Sequence, residues 1–215
     1  MTTTSSDVQT ITLTDIALAI GLEKTDTVLP NGKTVNGFNF DSERDSERVF
    51  KTVEKMVSGF SPVLLDGPFP LWLLATVVHA LHPRVVSVNN PMLGNVLPCS
   101  HCQQMECVDQ TLIYGDGDII ISGHVVDNTY VVGIDMVANV RNPLGICSEL
   151  KAPAIPEGVD VKSVIIEGRS LGAIVAQLSE AYAHSVQDIS VKGVDGVNTV
   201  VVSHGGNPYG HRWSN

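Results

Sequence analysis

The stretch "SVIIEGRSLGAIVAQLSEAYAHSVQDISVKGVDGVNTVVVSH", residues 163–204, decides the fold because it holds a complete unit of secondary structure. An apolar β run meets an acidic residue and a glycine, and the helix that follows ends in a histidine. A second β run, a glycine-bearing turn and a valine-rich run closed by Ser-His complete it. Residues 61–101, "SPVLLDGPFPLWLLATVVHALHPRVVSVNNPMLGNVLPCSH", repeat that plan. Gly67 to His101 spans 34 positions and Gly168 to His204 spans 36, and corresponding points lie 101 or 103 residues apart, close to half the chain. The expectation is a duplicated domain, with one repeat in residues 1–110, divergent over its first 60, and the other in 111–215.

Each part has a local reason. Pro70 can occupy the first turn of a helix, where its missing N–H is not needed, and Pro83 stops that helix. Leu71, Trp72, Leu74, Ala75, Val78 and Leu81 make it apolar nearly all round. In the second copy Leu171, Ile174, Val175, Leu178 and Tyr182 recur at helical spacing, while Gln177, Glu180 and Ala181 fall elsewhere on the cylinder. The first helix is therefore expected to be buried more deeply, at the contact between halves. Upstream, "FDSERDSERVFKTVEKMVSGF" has Asp41 or Ser42 as an N-cap and an apolar face of Val49, Phe50, Val53 and Met56, predicting a helix over 43–58. Residues 129–137 read as a strand, and 115–126 as a turn followed by a strand. The class is α+β, made twice.

Composition sets outer limits. At 43% hydrophobic the 215-residue chain can bury real cores, and its formal charge of −10, with 13 scattered basic residues, argues against long nucleic acid. A small anion in a local pocket remains compatible, because strand-to-helix turns present unpaired N–H groups. No apolar run approaches the roughly 20 residues of a membrane span. "MTTTSSDVQT" has neither the basic flank nor the apolar core of a secretion signal, so the expected location is the cytoplasm. Cys99, Cys102 and Cys107, with His101 among them, lack the second ligand pair of a zinc site and read as reduced thiols in a loop.

Both copies resemble the CRISPR-associated ring nucleases of the Csx-three type. The signature of that family is an apolar strand ending in Ser-Gly-Arg and a Pro-Ile-Trp-Leu helix ending in histidines. A strand into Asp-Pro-x-Leu-Gly and a valine-rich strand closed by Ser-His follow. The first copy matches in "DGPFPLWLL", "VVHALH", "VNNPMLG" and "SH", and the second in "EGR", "EAYAH" and "TVVVSH". The resemblance covers about residues 61–101 and 129–204 and implies two tandem ferredoxin-like domains forming a covalent pseudo-dimer. It implies cleavage of cyclic tetra-adenylate, a manganese requirement, and dimers or tetramers that clamp the ring.

Carried onto this chain, the resemblance assigns acid–base chemistry to His82 and His184, at the helix ends, because imidazole changes charge near neutral pH. Asn90 stands where the family has the Asp of Asp-Pro, and in the second copy Gly193 stands there with Asp195 close by. Ligand contacts fall to Gly67, Gly168 and Arg169 in the turns and to Ser100, His101, Ser203 and His204 at the strand ends. The first copy has Pro68 in place of the turn arginine. Neither half keeps the whole set, so either the halves share one composite site or the chain is a degenerate sensor or sponge for the ring. His79 reads as a core histidine, Ser100 and Ser203 equally as turn caps, and "GGNPYGHRWSN" as a tail that either stacks on adenine or docks on the partner half.

Overall fold

The fold is taken from a computed structural model, which describes residues 7–28, 32, 34–90, 94–100, 103–104 and 110–214. The first half begins with β1 (Gln9–Thr12), α1 (Leu13–Ala19), a hairpin of β2 (Lys24–Val28) and β3 (Thr34–Phe38), and α2 (Ser42–Met56). It continues with β4 (Val63–Asp66), α3 (Leu71–Leu81), β5 (Val86–Asn90), β6 (Asn95–Pro98) and β7 (Gln103–Gln104). The second half runs through β8 (Thr111–Tyr114), β9 (Ile119–Val126), β10 (Thr129–Met136), α4 (Pro143–Glu149), β11 (Lys151–Ala152) and β12 (Ser163–Gly168). It closes with α5 (Gly172–Tyr182), β13 (Asp188–Lys192), β14 (Asn198–Ser203) and β15 (Arg212–Trp213).

Two main sheets result. One has four strands in the order β1-β4-β5-β6, and the other has seven in the order β15-β14-β13-β12-β10-β9-β8. Within them, β1-β4-β5-β6 and β10-β12-β13-β14 have the same order and the same senses. The first three strands of each are mutually parallel and the fourth is antiparallel. This corrects the ferredoxin-like expectation, in which a third strand separates the strands that a helix joins. Here α3 carries β4 directly into a parallel β5, and α5 carries β12 into a parallel β13, as a helical crossover between neighbouring strands does.

The helix expectations agree closely with the elements found. Asp41 caps α2 by accepting from the Arg44 backbone N–H. Pro70 and Leu171 stand at the N-caps of α3 and α5, each of which has 11 residues. The two helices pack side by side and parallel. Leu71 and Leu74 crowd Gly172 at one end, where an added Cβ would come within 2.8 Å of Leu74 Cδ2, while His79 meets Glu180 at the other. One contiguous apolar core runs through both halves, from Ile11, Leu65 and Leu73 to Ile166, Ile174 and Val202. The second helix, expected to be amphipathic and less deeply buried than the first, is buried along most of its length. Gln177 is 2% exposed and donates to the Pro98 carbonyl at 2.7 Å and to that of Cys147 at 2.9 Å, tying α5 to β6 and α4.

Candidate functional site

Parallel packing of α3 and α5 gives the molecule two chemically different ends. At the first lie the strand-to-helix turns of both halves. Gly67 and Gly168 have φ of +131° and +105°, and a Cβ on Gly168 would lie 2.0 Å from the Ile134 carbonyl oxygen, so β10 leaves room only for glycine. Helices α1, α2 and α4 have side-chain caps from Thr12, Asp41 and Asn142, whereas α3 and α5 have none. Their first N–H groups are left to water or to an anion. Gly67, Phe69, Leu74, Asn90 and Gly172 line a shallow, mostly apolar pocket between these turns. Arg169 is exposed on the second turn and has no ion pair among the described residues. Asn89 donates to Asp66 at 2.9 Å beside Asn90, while Asp195 accepts from Arg212 at 2.6 Å and from the Val197 N–H at 3.2 Å.

At the second end, about 16 Å away by the length of an 11-residue helix, the histidines converge. Glu180 on α5 is at the centre, its side chain 8% exposed. His79 on α3, 7% exposed, places Nδ1 2.9 Å from Glu180 Oε1, and half-exposed His82 places Nδ1 3.1 Å from Oε2. A carboxylate only accepts, so His79 Nδ1 donates in its hydrogen bond, while His82 Nδ1 stands at ion-pair distance from the second oxygen without hydrogen-bond geometry. His184 follows α5 with its ring centroid 5.4 Å from that of His82, and His204, after β14, lies 6.0 Å from His184 and 5.4 Å from His79. Phe50 of α2 lies 5.8 Å from His79 and stacks on Tyr209 at 4.8 Å. Burial pushes the Tyr209 phenol up; the Ser203 backbone pulls it back and the Glu180 charge adds to the rise.

The expected residues thus divide. His82, His184 and His204 come together from both halves, while Gly67, Gly168, Arg169, Asn90 and Asp195 gather at the opposite end. Ser203 and Ser100 lie toward the histidine end in turn-building roles: Ser203 Oγ donates to the Asn207 carbonyl at 2.6 Å, and Ser100 Oγ accepts from the Val86 N–H at 3.1 Å. His101, Cys102 and Cys107 lie outside the described residues. Cys99 is wholly buried, with its thiol pushed up by burial and by Cys147 beside it, so it belongs to the core. The C-terminal tail is docked: Tyr209 packs on α2, β15 pairs with β14, and Arg212 holds Asp195. Sequence reasoning missed Glu180 and treated His79 as core alone. Their shared ninth position in helices of equal length was the available signal.

Among the described residues, no three His, Cys, Asp or Glu side chains form a group that could hold a metal ion. The described residues therefore do not supply a ready manganese shell, and the contact between His79 and Glu180 has hydrogen-bond geometry. Also among them, no helix is long and apolar enough to cross a membrane.

No curated protein and no solved structure matches the chain. A family model described as CRISPR-associated protein (Cas_csx3) matches residues 52–111, a little over a quarter of the chain. The match takes in the end of α2, β4, α3 with His79, the following His82, β5, β6 and β7, so that this segment is similar to a CRISPR-associated family.

Proposed function

We propose that this protein is a ring nuclease for cyclic tetra-adenylate, the second messenger of type III CRISPR immunity, and that its two halves descend from a duplication. One observation carries the reading. Histidines at equivalent helix ends of the two halves, His82 and His184, face each other with ring centroids 5.4 Å apart. Two imidazoles in edge-to-face contact at that spacing can both reach one phosphodiester laid over them. One takes the proton of a ribose 2′-hydroxyl as its oxygen bonds to phosphorus; the other gives a proton to the departing 5′-oxygen as the P–O bond breaks. The products are a 2′,3′-cyclic phosphate and a 5′-hydroxyl. Attack by water would instead leave a linear phosphate, so end-group analysis separates the two routes. A repeat with the same strand order and senses supports the duplication, and the family match over residues 52–111 supports the CRISPR association.

The anion-receptive turns lie a helix length from the histidines, so one phosphate cannot meet both ends of a single molecule. A ring gripped by Arg169 and the open helix N-termini of one copy would meet the histidine face of a second, consistent with the clamping assemblies implied by the resemblance. Manganese, implied by the same resemblance, would neutralise phosphate charge; assays with the ion and with a chelator decide whether it is needed. The pure protein incubated with a panel of cyclic oligoadenylates should linearise the four-membered ring, and an intact ring after long exposure at high enzyme concentration refutes the reading. A second reading, a sensor or sponge that binds without cutting, is favoured by the capture of Asp195 by Arg212 and by Pro68 in place of an arginine. Calorimetry showing tight binding with no turnover would establish it.

A further inference from the structure

Residues 79 and 180 are the ninth positions of two parallel helices of equal length, yet one carries an imidazole and the other a carboxylate. A pair of identical halves would set like against like across this contact. Here the facing groups are complementary, and Glu180 has a second oxygen to spare, which lies 3.1 Å from His82 Nδ1. The reciprocal contact is missing: position 79 is a histidine, and among the described residues the ring neighbours of His184 are His82 and His204, with no carboxylate in ion-pair range. The two exposed imidazoles are therefore unequal, although they occupy equivalent helix ends.

We propose that Glu180 is a positioning residue that makes the centre one-sided. Its buried carboxylate, hydrogen-bonded on the far side by His79 and 3.1 Å from His82 Nδ1, draws the His82 proton onto Nδ1 by its charge and leaves the lone pair on Nε2. An imidazole so fixed is a base of defined orientation, as a carboxylate behind a histidine makes it in hydrolytic triads. In the cleavage step, the ribose hydroxyl proton passes to His82 Nε2 and the 5′-oxygen takes its proton from His184, which no carboxylate orients. The assignment rests on the nuclease reading for its kinetic part only. The tautomer of His82 is a property of the free protein.

Nitrogen-15 NMR of the histidine side chains tests both parts. In the wild type, His82 should show a protonated Nδ1 and a bare Nε2, and Glu180→Gln should shift it toward a mixture of tautomers. Glu180→Gln should also lower kcat for ring cleavage by about 100-fold with KM little changed, and Glu180→Asp should recover part of the loss. Should Glu180→Gln fail to fold, the wild-type spectrum still decides, because a His82 protonated on Nε2 overturns the assignment. So does a folded Glu180→Gln protein with wild-type tautomer and kcat. If no ring is cleaved by any form, the nuclease reading fails, while the spectrum decides the positioning role by itself.

Discussion

Replacing Gln177 with leucine probes how the halves are joined. The amide is 2% exposed, and its two N–H bonds reach the Pro98 carbonyl of the first sheet at 2.7 Å and the Cys147 carbonyl at 2.9 Å. The Cys147 carbonyl is in the last turn of the seven-residue α4, where helical partners run out, and the Lys151 N–H four residues on donates to the Tyr114 hydroxyl instead. Leucine fills similar space but offers no donor. Each buried carbonyl deprived of its partner costs about 1–3 kcal/mol, and added apolar burial returns part, so a net loss of about 2–4 kcal/mol is expected. For a chain of this size, about 3 kcal/mol corresponds to a fall in Tm of roughly 6–12 °C. Urea and thermal unfolding followed by circular dichroism measure it. A variant within about 0.5 kcal/mol of wild type, the spread of ordinary surface changes, would refute the claim that this amide links the two halves.

Three further outcomes follow from other parts of the fold. Gly168→Ala should destabilise by more than about 3 kcal/mol in urea titrations, since its Cβ would sit 2.0 Å from the Ile134 oxygen; Gly196→Ala, also at positive φ but with nothing within 4 Å, should cost only about 1 kcal/mol. Burial acts to raise the Asp45 carboxyl, but Arg44 and the Asp41 N–H outweigh it and hold the group below its ordinary value of 3.8, and Arg141 does the same for Asp118. Folded values depressed in this way contribute stability above about pH 4 that is lost as pH falls through them, so the acid limb should flatten in the Asp45→Asn, Asp118→Asn double variant, and an unchanged limb contradicts the assignment. Arg169→Ala should weaken cyclic tetra-adenylate binding about tenfold or more in calorimetry, and unchanged affinity removes Arg169 from the ring contact.

The helices were legible because their signals are local. Asp41 as a cap, Pro70 at an N-terminus, Pro83 after the end and apolar spacing in between fix α2, α3 and α5 without reference to the rest of the chain. The recurring strand–helix–strand plan has its structural counterpart in the shared strand order of the two sheets, an order not read from the sequence. It also carried the sign of parallel pairing, since a helix between two strands brings them side by side in one sense; the ferredoxin-like label came from resemblance and gave way to that geometry. Glu180 was not legible. Spacing sets it off the apolar face of α5, and it is buried only because α3 lies parallel and supplies His79 and His82, a tertiary fact absent from any one segment. The division of the expected site between two ends was hidden for the same reason. Motif order lists turn and histidine together, whereas an 11-residue helix holds them apart.

One joint centre, built from helix ends of both halves, carries the proposed chemistry. Its most direct test is single-turnover cleavage of labelled cyclic tetra-adenylate by wild type, His82→Ala and His184→Ala, with ring binding measured in parallel. Linear product from the wild type, slowed about 100-fold in each variant with binding retained, is the predicted result. A ring left whole by the wild type, or cut at the wild-type rate by either variant, would contradict it.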